Sequence, residues 1–122
     1  MAAASSHPLH VDAVLGLDPV LVRVRGELDL DSAPSLTSLL APLLTRTIEV
    51  DLADVTFIDS SGVNVLLSHQ DQCRAVGGCF VVIQPSSVVR RVLQLLGVDG
   101  LLLERYGPEG RHNRGDNFPG LP

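Results

Sequence analysis

From Val20 to Leu103 the apolar residues switch repeatedly between two spacings, every second residue and every third or fourth. Few architectures accommodate that. Val20, Val22 and Val24 alternate against Arg23 and Arg25, as in a strand with one buried face. Leu36, Leu39, Leu40 and Leu43 then share one helical face, and Ile48, Val50 and Leu52 alternate again. Val63, Leu66, Leu67, Gln70 and Cys73 return to helical spacing. Cys79 to Ile83 is a continuous apolar run, expected to be a fully buried central strand. Val89, Val92, Leu93 and Leu96 make a last helical stripe. With Leu9 to Leu17 as a first strand and Leu101 to Leu103 as a last, the order is β-β-α-β-α-β-α-β. This predicts a single α/β domain: a mixed four- to five-stranded sheet, joined by right-handed crossovers, with helices packed mainly on one face. The buried set should include Val22, Val24, Leu40, Val50, Leu66, Val81, Ile83, Val92 and Leu96.

The punctuation between these segments is consistent with that reading. Asp18-Pro19 signals a turn, and Gly26-Glu27-Leu28-Asp29 reads as a surface loop. In Asp31-Ser32-Ala33-Pro34 a capping side chain precedes a Pro in the first helical turn. Pro42 should disturb that helix near its end. Gly77-Gly78 ends the second helix, Pro85-Ser86 opens the third and Gly97 stops it. Residues 1–8 read as a flexible leader, 9–106 as the folded domain, and the Gly- and Pro-rich stretch 107–122 as a flexible tail.

Composition excludes several functions. With 122 residues there is room for one core. Aromatic residues are 3% of the chain and Trp is absent, so base-stacking platforms are not expected. The net charge is -5, with nine Arg, no Lys and no basic cluster, which argues against nucleic acid. No apolar run approaches the roughly 20 residues of a membrane span, and the first residues do not resemble a secretory signal. Cys73 and Cys79 make no disulfide framework, so a cytoplasmic protein is expected. There is no Gly-rich phosphate fingerprint and no nucleophile elbow. His7 and His10 have a metal-like gap but fall at the leader, so no metal or cofactor is assigned. His69, Cys73 and Cys79 could converge; the two Cys are read as small core residues, with a redox or metal-binding role as the alternatives. Arg90-Arg91 is read as a solvated helix face, with a place on a partner surface as the alternative.

Asp59-Ser60-Ser61-Gly62 falls between an apolar strand and an amphipathic helix. Asp and Ser oxygens cap orphan backbone N–H groups at a helix start, which explains one residue of the four. Two hydroxyls and a Gly together call for something more.

Here the chain resembles the anti-sigma factor antagonists of the STAS-domain family. The resemblance runs from about Val20 to Leu103. It rests on Gly26-Glu27-Leu28-Asp29, on Asp51-Leu52 followed by Val55-Thr56-Phe57-Ile58-Asp59-Ser60-Ser61-Gly62, on Gly77-Gly78, on Pro85-Ser86 and on Leu96-Gly97. It implies a non-enzymatic protein that binds an anti-sigma factor with serine kinase activity and thereby frees a sigma factor. It implies phosphorylation at Ser60, with Ser61 as the alternative, which ends the binding, and a phosphatase that reverses it. Glu27, Asp29, Asp59, Ser60, Ser61 and Gly62 are the expected partner-binding residues. A phosphate on Ser60 is expected to meet free N–H groups at the helix start. Family members usually close with a further helix, which the residues after Tyr106 do not promise. Two other readings stand beside this one: a STAS scaffold or interaction module without a kinase cycle, and an enzyme with Ser60 as nucleophile. The enzyme would need a base, and His69, two helical turns on, is the only nearby His.

Overall fold

The computed structural model describes residues 8–16 and 18–103. The readings made for the leader before Pro8, for His7, for Leu17 and for everything after Leu103 lie outside the described residues. The elements are β1 (His10–Val14), β2 (Val20–Leu28), α1 (Ala33–Leu40), a 3-10 turn (Ala41–Leu43), β3 (Thr47–Ile58), α2 (Ser60–Ala75), β4 (Cys79–Ile83), α3 (Ser87–Leu95) and α4 (Asp99–Leu102). The strands lie in the order β1-β2-β3-β4. β1 is antiparallel to β2, and β2, β3 and β4 are parallel. Among the described residues the sheet is therefore mixed and four-stranded. None of the described helices is long and apolar enough to cross a membrane.

One sheet face carries the core. Val20, Val22 and Val24 of β2, Ile48, Val50 and Leu52 of β3, and Phe80 and Val82 of β4 are buried in a single cluster. Leu36 and Leu40 of α1, Val63, Leu66 and Cys73 of α2, Val89 and Leu93 of α3 and Leu102 of α4 join that same cluster, so the helices stack on that face. With Trp absent and Phe80 the one Phe in the cluster, branched aliphatic side chains fill the layer between sheet and helices. On the opposite face the exposed Arg23 reaches the partly buried Asp51, Nε to Oδ2 at 3.8 Å, a long contact worth at most about 1 kcal/mol.

Four expectations need correction. Gly26-Glu27-Leu28 is not a loop: β2 runs through to Leu28, which is fully buried. Gly26 takes φ 101° beside a shift in the pairing with β3, so the strand absorbs an irregularity and resumes its alternation. β4 lies at the sheet edge and not in its centre. Phe80, Val81 and Val82 are all buried, so the apolar run reports cover on both faces and not a middle position. Leu101 to Leu103 is not a strand. Leu101 and Leu102 belong to the single turn of α4, held where Gln70 Nε2 donates to Leu101 O at 2.7 Å and to Phe80 O at 3.2 Å. Leu96, expected in the core, is half exposed because α3 ends at Leu95 and the chain turns away at Gly97, φ 73°. Of the other expected core residues, Ile83 and Val92 are partly buried and the rest are buried.

His69 is buried on α2, its ring edge-on to Phe80 with centroids 5.2 Å apart, and its Nε2 has no hydrogen-bond partner. Burial lowers its pKa below 6.5. The unfolded chain then binds the proton more readily than the folded one. The associated stability is complete above about pH 6.5 and is lost as the pH falls toward the folded-state value. Between pH 7 and 5.5 the wild type should lose up to about 1 kcal/mol more than a His69→Phe variant, measured by urea melts. Parallel losses in the two proteins would show that His69 does not titrate between the folded and unfolded states.

Candidate functional site

The segment Asp59-Ser60-Ser61-Gly62 sits where β3 turns into α2. β2 and β3 are parallel and end together: Leu28 pairs with Ile58, and Asp59 N donates to Leu28 O at 3.3 Å. The Asp29 and Asp59 segments thus leave neighbouring strand ends on the same side of the sheet. This is the carboxyl edge, where parallel sheets usually present their sites.

Asp59 is the N-cap of α2. Its backbone is extended, and its Oδ1 accepts from Ser61 N at 2.9 Å and from Gly62 N at 3.1 Å. Its carbonyl accepts from Val63 N at 3.0 Å. The cap read from the sequence is therefore present, and it is Asp59 rather than a Ser. This alters one expectation. The N–H groups of Ser61 and Gly62 are not free for a phosphate on Ser60, because the Asp59 carboxylate already takes them. A phosphate on Ser60 would meet a carboxylate where the sequence suggested bare amides.

Ser60 is the first residue of α2 and is exposed; Ser61 is partly buried and Gly62 is buried. Gly62 packs the first turn of α2 onto β2. A Cβ there would lie 2.6 Å from Leu28 O, 2.8 Å from Leu28 Cγ and 3.0 Å from Ile58 Cγ1. The Gly of the motif is thus a packing requirement: it lets the helix that carries Ser60 sit directly on the strand ends.

Asp29 has a structural task of its own. Its Oδ1 accepts from Asp31 N at 3.1 Å and Ser32 N at 3.0 Å, tying the turn into α1. Ser32 does not cap α1 with its side chain. Its hydroxyl turns back to β2, donating to Glu27 O and accepting from Asp29 N, both at 2.9 Å. Pro34 stands in the first turn of α1, as expected. Glu27, being in β2, lies opposite Phe57 of β3 and not in a loop.

His69 does not supply a base to Ser60. They lie nine positions apart on α2, roughly 13 Å along the axis at 1.5 Å per residue, and the ring is buried against Phe80. Burial, with Cys79 nearby, pushes the Cys73 thiol up to about 11, so it behaves as a core side chain near neutral pH. Among the described residues, no three His, Cys, Asp or Glu side chains gather in a way that could hold a metal ion. A broad groove on the charged sheet face, lined among others by His10, Arg25, Asp54, Thr56 and Ser87, does not include Ser60.

Known proteins share the family profile and the fold. The profile of the Mlab, STAS domain family matches residues 3–104. An anti-sigma F factor antagonist of Lysinibacillus sphaericus is 28% identical over 91 residues, covering 71% of this chain and 78% of that protein. The anti-sigma factor antagonist SpoIIAA in its unphosphorylated form superposes with a TM-score of 0.67 at 26% identity, covering 77% of this chain and 86% of that one. The Bacillus cell fate determinant SpoIIAA in its phosphorylated form gives a TM-score of 0.62 at 25% identity, covering 77% and 89%. A strand-end Asp cap, an exposed Ser at the first helical position and a Gly packed on the neighbouring strand thus occur in a chain that matches this profile over most of its length, and the chain belongs to the STAS-domain family.

Proposed function

We propose that this chain is an anti-sigma factor antagonist: it binds an anti-sigma factor that is also a serine kinase, frees a sigma factor, and is switched off by phosphorylation of Ser60. The observation that carries the reading is the position of Ser60. It is exposed at the first turn of α2, directly after the capping Asp59. A similar protein, SpoIIAA, is known in an unphosphorylated and a phosphorylated form. In the step proposed, the γ-phosphoryl group of ATP passes to Ser60 Oγ, the hydroxyl proton leaves and ADP departs. A phosphatase would restore the hydroxyl by hydrolysis, in the cytoplasm where sigma factors act.

The test is incubation of the purified chain with ATP and, in turn, each purified anti-sigma factor kinase of the genome that encodes it. One phosphate on the peptide containing Ser60, found by mass spectrometry, supports the reading. Binding without phosphate transfer would favour a scaffold module lacking a kinase cycle.

Asp29 needs a variant that separates its two roles. Asp29→Ala would remove the acceptor of two turn hydrogen bonds and cost about 1 kcal/mol or more, so lost binding would be ambiguous. Asp29→Asn keeps an acceptor oxygen and removes the charge. It should fold with little loss of stability and bind the partner several-fold more weakly in calorimetry. Unchanged affinity would remove the Asp29 charge from the interface.

A further inference from the structure

Two exposed apolar side chains stand at the same sheet end as Ser60. Leu30 is 70% exposed and Phe57 is 45% exposed. Their placement follows from the register. Leu28 and Ile58 form the last rung between β2 and β3. Leu30 and Ser60 each lie two residues beyond that rung, on adjacent segments, and Phe57 lies one residue before it. Neither apolar side chain belongs to the buried core cluster. A single exposed Leu needs no explanation, but two beside a modification site do.

Charge supplies the second observation. Residues 26–33 and 55–64, which carry the ends of β2 and β3 into the helices that follow, contain no Lys, Arg or His, and the nearest basic pair in the sheet, His10 beside Arg25, lies one rung further back. The two segments bring Glu27, Asp29, Asp31 and Asp59 to the edge, and a shallow cleft is lined in part by Glu27, Asp29 and Asp31. A surface of this kind is complementary to an apolar socket with Arg or Lys at its margin.

We infer that Leu30 and Phe57 are the apolar anchors that the anti-sigma partner buries on either side of Ser60, and that they convert phosphorylation into release. The inference rests on the function proposed above and names the contacts that make the switch work. On an interface rimmed only by charge, a phosphate could find a basic partner. Between two buried apolar anchors it must shed its water, and the nearest helix amides are already held by Asp59. Basic groups on the partner then serve the acidic margin and not the centre.

The experiment is a binding titration, using calorimetry and the anti-sigma factor kinase that binds the wild-type chain. Leu30→Ser and Phe57→Thr should each weaken binding tenfold or more, with melting temperatures within a few degrees of wild type. Val14→Ser and Leu95→Ser, also at exposed apolar positions but on other elements, should bind as wild type does. In a Ser60→Glu background, Leu30→Ser should cost less than threefold, because the anchors are no longer seated. Wild-type affinity for both anchor variants, with Ser60→Glu still weak, would overturn the inference and leave the proposed function standing. Failure of the wild-type chain to bind any of the kinases would overturn both.

Discussion

Ser60→Ala should bind the anti-sigma partner as tightly as the unphosphorylated wild type, accept no phosphate, and leave the sigma factor permanently free. The Ser60 side chain is exposed at the first turn of α2, and the helix start is capped by Asp59 and not by Ser60. Truncating its hydroxyl therefore disturbs neither the cap nor the core. Ser60→Glu should bind more than a hundredfold more weakly. A new negative charge at a closed interface must be desolvated next to the Asp59 carboxylate. A loss of ~3 kcal/mol there gives that factor, at about 1.4 kcal/mol per tenfold. The free domain should tolerate the change, since solvent can hydrate a carboxylate or a phosphate at an exposed position. Matching melting curves for Ser60→Glu and wild type would show that the switch acts through the surface and not through refolding. Ser61→Ala is the control. If Ser61→Ala abolishes phosphate incorporation and Ser60→Ala does not, the modified hydroxyl is Ser61. If both variants are phosphorylated normally, the switch lies elsewhere in the chain.

The parts of this site that were legible in the sequence are those governed by local chemistry. A capping Asp at the start of an amphipathic helix can be read from residue type and spacing, and Asp59 does cap α2. The alternations in β2 and β3 placed Val20, Val22, Val24, Ile48, Val50 and Leu52 correctly in the core. What could not be read depended on pieces of chain that meet only in the fold. Leu28 looked like part of a polar loop because Gly26 and Glu27 precede it, yet its pairing with Ile58 fixes the height of the whole site. The hydroxyl of Ser32 suited a cap by sequence, but the end of β2 lay within reach and took it. Gln70 fell on the buried face of α2 by spacing alone. Its use, bridging Phe80 O and Leu101 O, required knowing where β4 and α4 would lie. A three-residue apolar run such as Leu101 to Leu103 holds too few residues for a period, so strand and helix could not be told apart there.

Gly62→Ala should lower the melting temperature by roughly 10 °C, although Ala is the better helix former. Two effects oppose each other. Inside a helix, Ala is favoured over Gly by about 1 kcal/mol. Against that, the new methyl group would sit 2.6 Å from Leu28 O and 2.8 Å from Leu28 Cγ. Leu28 cannot yield easily: its carbonyl accepts from Asp59 N, its side chain is fully buried, and its neighbour across the sheet is Ile58. Relief must come from lifting the first turn of α2. That turn is held by both Asp59 Oδ1 bonds, so two charge-assisted hydrogen bonds weaken along with the packing. Overpacking at about 1–3 kcal/mol, with weakened caps adding about 1 kcal/mol or more, outweighs the gain in helix propensity. The net loss is about 2 kcal/mol, which for a domain of this size corresponds to the expected shift. The same lift displaces Ser60. Partner affinity should therefore fall even at temperatures where Gly62→Ala is fully folded, whereas Ser61→Ala, one residue earlier, should keep its stability. A melting temperature for Gly62→Ala equal to or above that of wild type would show that helix propensity wins, and that Gly62 is not what seats α2 on β2.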